Sequence, residues 1–177
     1  MVNKIFKPNN KTNFVIAEVG INHNGNLEQA FKLIEQAKKS DADAVKFQTY
    51  TAEKRVNKNS PIFDILKKCE LNFEDFYKIK NYCDKKKIVF FSTPFDSESV
   101  KFLNKIKVKL FKISSFDIVN KSLIKEIIKT KKPTIVSTGM ASFKEISNTY
   151  KSFKKSKVPI ALLHCISSYP NIEENSY

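Results

Sequence analysis

Two residue types are scarce in this sequence, and each scarcity removes a class of function. Only one of the 32 basic residues, Arg55, is arginine. Readers of nucleic-acid sequence usually rely on the planar arginine fork for bidentate base contacts, so the shortage weighs against that class. Glycine occurs only at Gly20, Gly25 and Gly139. Neither Gly-x-Gly-x-x-Gly nor Gly-x-x-x-x-Gly-Lys-[Ser/Thr] is present, so the two common nucleotide-binding loops are absent. The three cysteines, Cys69, Cys83 and Cys165, lie far apart. They form neither a metal-type CxxC pair nor a disulfide framework, and a reduced, cytoplasmic protein is the default expectation. No apolar run approaches the roughly 18 to 20 residues that cross a bilayer. The polar, basic stretch Met1 to Thr12 lacks the apolar segment of a signal peptide.

The remaining composition is that of a globular chain. Hydrophobic residues make up 41% and charged residues 28% of the 177 positions, which argues against full disorder. The length suits one domain or a piece of a larger one. The formal charge is +14, yet the lysines are spread over helix-like segments such as Lys38-Lys39, Lys85-Lys86-Lys87 and Lys154-Lys155. A lysine- and asparagine-heavy, arginine- and glycine-poor chain matches the coding bias of an AT-rich genome. The charge is read first as solvated faces, then as attraction for anionic small molecules, and last as nucleic-acid binding.

Short apolar runs alternate with longer amphipathic ones. Strands are expected at 14–18, 43–48, 88–92, 110–113, 133–137 and 158–164, and helices at 27–39, 73–86, 97–105, 121–130 and 143–153. Asn72 is the expected N-cap of the helix from Phe73, with Asp75 at its third position. The polar stretch Thr49 to Glu70 is a candidate lid or substrate-contacting loop, helical in part at 62–68. Six βα-type steps imply a parallel sheet covered on its faces. Both a doubly wound sheet and a (β/α)8 barrel fit this rhythm, although a full barrel has eight strands and about 250 residues.

The polar residues fall where an apolar core does not need them. Successive strands end in Glu18 followed by Gly20 to Gly25, in Lys46-Phe47-Gln48, in Ser92-Thr93-Pro94-Phe95-Asp96, in Lys112-Ile113-Ser114-Ser115, in Ser137-Thr138-Gly139-Met140, and in His164 to Pro170. The carboxyl ends of the strands form the active face of parallel α/β folds. Lysines and hydroxyls gathered there suit a phosphorylated, carboxylated substrate. Plainer roles stand beside this one. A strand-end Ser or Thr often caps the next helix. Either lysine can pair with Glu18 as a structural ion pair, or form a Schiff base. His23 fits a packing role better than metal ligation, His164 fits a core or a catalytic role equally, and Cys69 and Cys83 read as packing residues.

Together the motifs Ile16 to Gly25, Lys46-Phe47-Gln48, Phe91 to Asp96, Lys112 to Ser115, Ser137 to Met140 and Leu163 to Pro170 resemble the sialic acid synthase family, which includes N-acetylneuraminate, legionaminate and pseudaminate synthases. The likeness runs from about Phe14 to Pro170. It implies a (β/α)8 barrel that condenses phosphoenolpyruvate with an N-acetylmannosamine-type sugar, giving a nine-carbon 2-keto acid and phosphate. By motif position it also implies that Lys46, Thr93, Lys112, Ser115, Ser137 and Ser167 bind phosphoenolpyruvate. Gln48 and Tyr169 would lie near the sugar, and Glu18 would be the acid/base group.

Family members continue through two further strands, whose histidines hold a divalent metal (Mn2+ or Mg2+), and into a small antifreeze-like domain that covers the partner's site in a homodimer. The expectation is therefore an incomplete barrel of about six parallel βα units over 14–177, preceded by a polar arm over 1–13. Its first and sixth strands would be open edges. His23 and His164 do not match the metal positions, and residues 1–177 alone are expected to be inactive. The alternatives are a lysine Schiff-base aldolase acting on pyruvate and a basic nucleic-acid-binding module.

Overall fold

The computed structural model describes residues 3–6, 13–168, 170–172 and 174. The chain divides into two compact units, Met1–Lys109 and Leu110–Tyr177.

The first unit contains α1 (Asn3–Phe6), β1 (Ile16–Gly20), α2 (Leu27–Lys39), β2 (Ala44–Thr49), α3 (Ala52–Arg55), α4 (Phe63–Lys68), α5 (Phe73–Lys86), β3 (Val89–Pro94) and α6 (Ser97–Lys105). β2 pairs in parallel with β1 on one side and with β3 on the other. Alternation along β2 gives each face its own chemistry. Val45 and Phe47 are fully buried, and the Phe47 ring meets Phe76 of α5, Phe90 of β3 and His23. On the same face a hydroxyl pair, Thr49 Oγ1 to Ser92 Oγ at 2.7 Å, satisfies two polar groups that burial would otherwise strand. Lys46 and Gln48 occupy the opposite face. The segment between β2 and α5 is an ordered element with its own small core: Tyr50, Ala52 and Leu66 are buried, with Ile21, Val56, Phe63 and Phe95 packed against them.

The second unit contains β4 (Phe111–Ile113), a 3-10 turn (Phe116–Val119), α7 (Lys121–Lys129), β5 (Thr134–Ser137), α8 (Phe143–Lys155) and β6 (Ile160–Leu163). β5 pairs in parallel with β4 and with β6. Leu123, Ile124 and Ile127 of α7, Ile135 and Val136 of β5, and Phe153 of α8 form its apolar interior. Thr149 of α8 donates its hydroxyl to the Ile118 carbonyl at 2.8 Å, tying the 3-10 turn to that helix. β6 departs from the expectation of a covered strand, since Leu162 and Leu163 are each 41% exposed.

Helix starts follow their capping chemistry. Asn26, Asn72, Asp96, Asn120 and Ser142 each accept a hydrogen bond from the backbone three residues on, and Ser142 with Glu145 completes a reciprocal capping box. Helix ends show where the glycine shortage acts. The left-handed residue that closes a helix is usually glycine. Here Asp41, Lys87, Lys107, Lys131 and Lys157 take that role, with φ between 54 and 59°. Each accepts the side-chain crowding that glycine avoids. Among the described residues no helix is long and apolar enough to cross a membrane.

Candidate active site

In the first unit, strand register assembles the site. β1 against β2 sets Glu18 beside Lys46, and β2 against β3 sets Gln48 beside Thr93. Lys46 Nζ lies 3.0 Å from Glu18 Oε2 and donates to Thr93 Oγ1 at 3.2 Å. The Lys46 side chain is 11% exposed and that of Glu18 53%, so the ammonium is enclosed while the carboxylate still reaches solvent. Burial pulls the Lys46 pKa below its ordinary value. Glu18 opposes that pull, and the positive charge of Arg55 adds to it.

The two Glu18 oxygens have different surroundings. Oε2 meets Lys46, whereas Oε1 lies toward Gly20, where a Cβ would sit 3.1 Å from Oε1 and 3.8 Å from Gln48 Nε2. Gly20 has φ +56°, directly after the register shift in β1, so both the turn and the space favour glycine there. Gln48 Oε1 accepts a hydrogen bond from Arg55 Nη1 at 2.9 Å. The Arg55 guanidinium lies 3.9 Å over the Phe95 ring and 4.6 Å from the Tyr50 ring centre. Sequence reasoning missed Arg55 as a site residue. The available signal was that it is the only arginine in a chain that otherwise uses lysine.

His23 is 1% exposed and stacks on Phe47, with ring centroids 5.9 Å apart. Its Nδ1 accepts from the Gly25 N–H at 3.1 Å, while Nε2 is buried with no hydrogen-bond partner among the described residues. Burial lowers its pKa, with the Gly20 backbone opposing. These contacts are those of a packing histidine.

In the second unit, Lys112 is 8% exposed. Its Nζ donates to the Ile113 carbonyl at 2.7 Å and to Ser137 Oγ. Ser115 Oγ accepts from the Gly139 N–H at 3.1 Å. A Cβ at Gly139 would collide with Ser167 Oγ and would sit 3.0 Å from Ser115 Oγ and 3.1 Å from the Cys165 carbonyl. The β5 end therefore presses its backbone between Ser115 and Ser167, and a side chain at position 139 would push them apart. Ser137 thus lies beside Lys112, and Ser115 and Ser167 lie beside Gly139. Tyr169, the remaining predicted residue, lies outside the described residues. His164 is exposed, which removes the core role from the two left open for it. Cys69 and Cys83 are buried packing residues, and burial pushes the Cys83 thiol up to about 12.

The unit also has a cavity of about 730 Å³, lined among others by Ile124 and Ile128 of α7 and Asn148 and Ser152 of α8. Among the described residues, none of those predicted for the site lines it. Among the described residues no group of three or more His, Cys, Asp or Glu side chains is placed to hold a metal ion. The available chemistry is an enclosed ammonium next to a carboxylate in one unit, and an ammonium bonded to a serine hydroxyl in the other. The first suits proton transfer beside an anion, and the second suits anion binding.

Comparison with known proteins bears on these features. A protein of Methanocaldococcus jannaschii described as uncharacterized is 44% identical over 163 residues, covering 92% of this chain and 48% of its own length. An N,N'-diacetyllegionaminic acid synthase of Legionella pneumophila is 39% identical over 178 residues, covering 90% of this chain and 50% of its own. The crystal structure of an N-acetylneuraminic acid (sialic acid) synthetase from Leptospira borgpetersenii, in complex with citrate, superposes with a TM-score of 0.90 and 40% identity over 92% of this chain and 57% of that one. The chain thus spans about half the length of the curated relatives it matches. Its fold is of the (β/α)8-barrel type, represented by six parallel βα units. With the NeuB family model matching residues 33–176, the chain belongs to the NeuB family.

Proposed function

We propose that the chain is the phosphoenolpyruvate-binding part of a nonulosonic acid synthase, an enzyme joining phosphoenolpyruvate to an N-acylated hexosamine. The observation that carries this reading is the Glu18–Lys46–Thr93 contact, an enclosed ammonium shared between a carboxylate and a hydroxyl at the ends of three paired strands. The named synthases among its relatives support the product class, and the citrate held by one of them is itself a polyanion.

In this reading, as the family resemblance implies, Lys46, Thr93, Lys112, Ser115, Ser137 and Ser167 bind phosphoenolpyruvate. Gln48 and Tyr169 lie toward the sugar. C3 of phosphoenolpyruvate attacks the open-chain aldehyde carbon, forming the new C–C bond. Water adds at C2 and loses a proton, the former aldehyde oxygen takes up a proton, and the C2–O bond to phosphate breaks as the C2 hydroxyl becomes the ketone and its proton leaves with the phosphate. Glu18 is the acid/base group, handling the proton of the attacking water or that of the aldehyde oxygen. The lysines hold the anion in place and neutralise it as charge moves. The family resemblance implies a divalent metal. Among the described residues no group of three or more His, Cys, Asp or Glu side chains could hold one.

Calorimetric titration of phosphoenolpyruvate into the 177-residue chain tests the proposal, with Lys46→Ala and Lys112→Ala as controls. Saturable binding that both substitutions abolish supports it. Borohydride trapping of pyruvate on Lys46 or Lys112, without phosphoenolpyruvate binding, would replace it with Schiff-base aldolase chemistry.

A further inference from the structure

Gln48 stands beside Glu18 and Gly20 with one end of its amide engaged and the other facing them. A glutamine amide can point either its oxygen or its nitrogen toward a given neighbour, and only the hydrogen-bond network decides which. Arginine carries five donors and no acceptor. Because Arg55 Nη1 lies 2.9 Å from the Gln48 side chain, the end facing Arg55 must be the oxygen. The NH2 end is then turned away, toward the space beside Gly20 that Glu18 Oε1 also borders.

Arg55 itself meets two aromatic rings. Its guanidinium lies 3.9 Å over Phe95 and 4.6 Å from the Tyr50 ring centre, and those two rings meet edge-on at 85°. Tyr50 is anchored by donating its hydroxyl to the Leu66 carbonyl at 2.9 Å, and it belongs to the small core with Ala52 and Leu66. The segment between β2 and α5 therefore forms a cradle for one guanidinium. Lysine cannot replace it there, because an ammonium lacks the planar surface that stacks and the fork that donates at a fixed angle. This is the only arginine among 32 basic residues. It also has an electrostatic cost, since its charge adds to the depression of the nearby Lys46.

We infer that Arg55 is a positioning residue for the acceptor sugar: it fixes the Gln48 amide so that Nε2 donates to an oxygen of the N-acylated hexosamine. The inference rests on the synthase reading above and deepens it. Gln48 touches the sugar, while Arg55 acts on the sugar through Gln48. A site presenting a fixed donor selects an oxygen at that place and disfavours an analogue with a donor there.

The test is an NMR titration of the 15N-labelled chain with N-acetylmannosamine, and separately with phosphoenolpyruvate. The Gln48 side-chain amide signals are assigned by their loss in Gln48→Leu. The sugar is expected to shift those signals in the parent chain. Arg55→Leu should weaken sugar binding about tenfold while changing phosphoenolpyruvate binding less than about threefold. Arg55→Lys keeps the charge and stem, and should show the same split if the leucine variant folds poorly. The double variant Arg55→Leu/Gln48→Leu should bind sugar no more weakly than Gln48→Leu alone, because both changes remove one coupled contribution.

Additive losses in the double variant would overturn the inference, as would a parallel weakening of both ligands, the sign of a merely structural role. Binding of phosphoenolpyruvate without any sugar response at Gln48 also overturns it and leaves the synthase reading standing. A chain that binds neither ligand overturns both. Sugar binding that shifts the Gln48 amide and that Arg55→Leu weakens about tenfold, in a chain that binds no phosphoenolpyruvate, supports the role of Arg55 and overturns the synthase reading.

Discussion

Lys46 and Lys112 each place an ammonium inside an apolar strand, but their surroundings differ. Lys46, in the first unit, meets a carboxylate and a hydroxyl. The contacts described for Lys112, in the second, are to a serine hydroxyl and a backbone carbonyl. The glycines differ in the same way. Gly25 has φ +71°, and a Cβ there would drive into the Lys68 carbonyl, so it serves the fold. A Cβ at Gly139 would meet mainly serine hydroxyls, the groups proposed to bind phosphoenolpyruvate. The lesson is that residues of one type at strand ends serve different ends, and only their neighbours reveal which.

The largest expected effect tests the glycine contrast from the first unit. Gly25→Ala should destabilise the chain by about 3 kcal/mol or more, from the left-handed backbone and the carbonyl collision together. Urea unfolding measures it, and a change below about 1 kcal/mol would erase the contrast. From the second unit, Gly139→Ala should cost at least tenfold in phosphoenolpyruvate affinity, about 1.4 kcal/mol. Its melting temperature should move by only a few degrees. Equal losses of binding and stability would make Gly139 another folding glycine.

His23 gives the first unit a pH response. Its folded pKa is lowered by burial, so the unfolded chain binds a proton first as pH falls below about 6.5. Stability contributed by neutral His23 is complete above that pH. It is lost as pH falls toward the folded value, at up to about 1.4 kcal/mol per pH unit. Urea midpoints at a series of pH values, compared with His23→Phe, should show a decline in the parent chain that the variant lacks.

Glu18→Gln sharpens the lysine comparison. It removes the charge that opposes the burial penalty, so the Lys46 pKa should fall further below its ordinary value in an NMR titration. The stability cost should be about 1 kcal/mol or less, because Glu18 is half exposed. No change at Lys46 would mean that the carboxylate does not hold the ammonium in solution. The smallest effect concerns a helix end. Lys131, with φ 58°, closes α7 where glycine is favoured, and Lys131→Gly should raise stability by about 0.5 to 1 kcal/mol.

Much of the fold was legible because it is locally encoded. The helices beginning at Leu27, Phe73, Ser97, Lys121 and Phe143 start where capping side chains and apolar spacing place them. Strand bounds drifted for a physical reason. The apolar run at Phe14 and Val15 suggested an earlier β1, yet Val15 is 52% exposed and its N–H bonds the Asp43 carboxylate at 2.9 Å, so the strand begins at Ile16. Pro159 lacks an N–H to donate, and β6 begins only after it. The candidate site residues stand out by a simple mismatch, charged and hydroxyl groups ending apolar runs. Arg55 was not legible, because its role depends on Phe95, forty positions away, and on a core formed by a segment without clear periodicity.

The sequence alone determined the alternation of strands and helices, the helix starts, and which strand ends carry lysines and hydroxyls. These follow from backbone capping and from the separation of apolar and polar side chains, both short-range properties. The tertiary structure decided which lysine meets Glu18, which glycine admits no side chain, and which way the Gln48 amide points. Those outcomes depend on strand register and on contacts between residues far apart in the chain. A one-residue change of register would turn the same side chains to the other face.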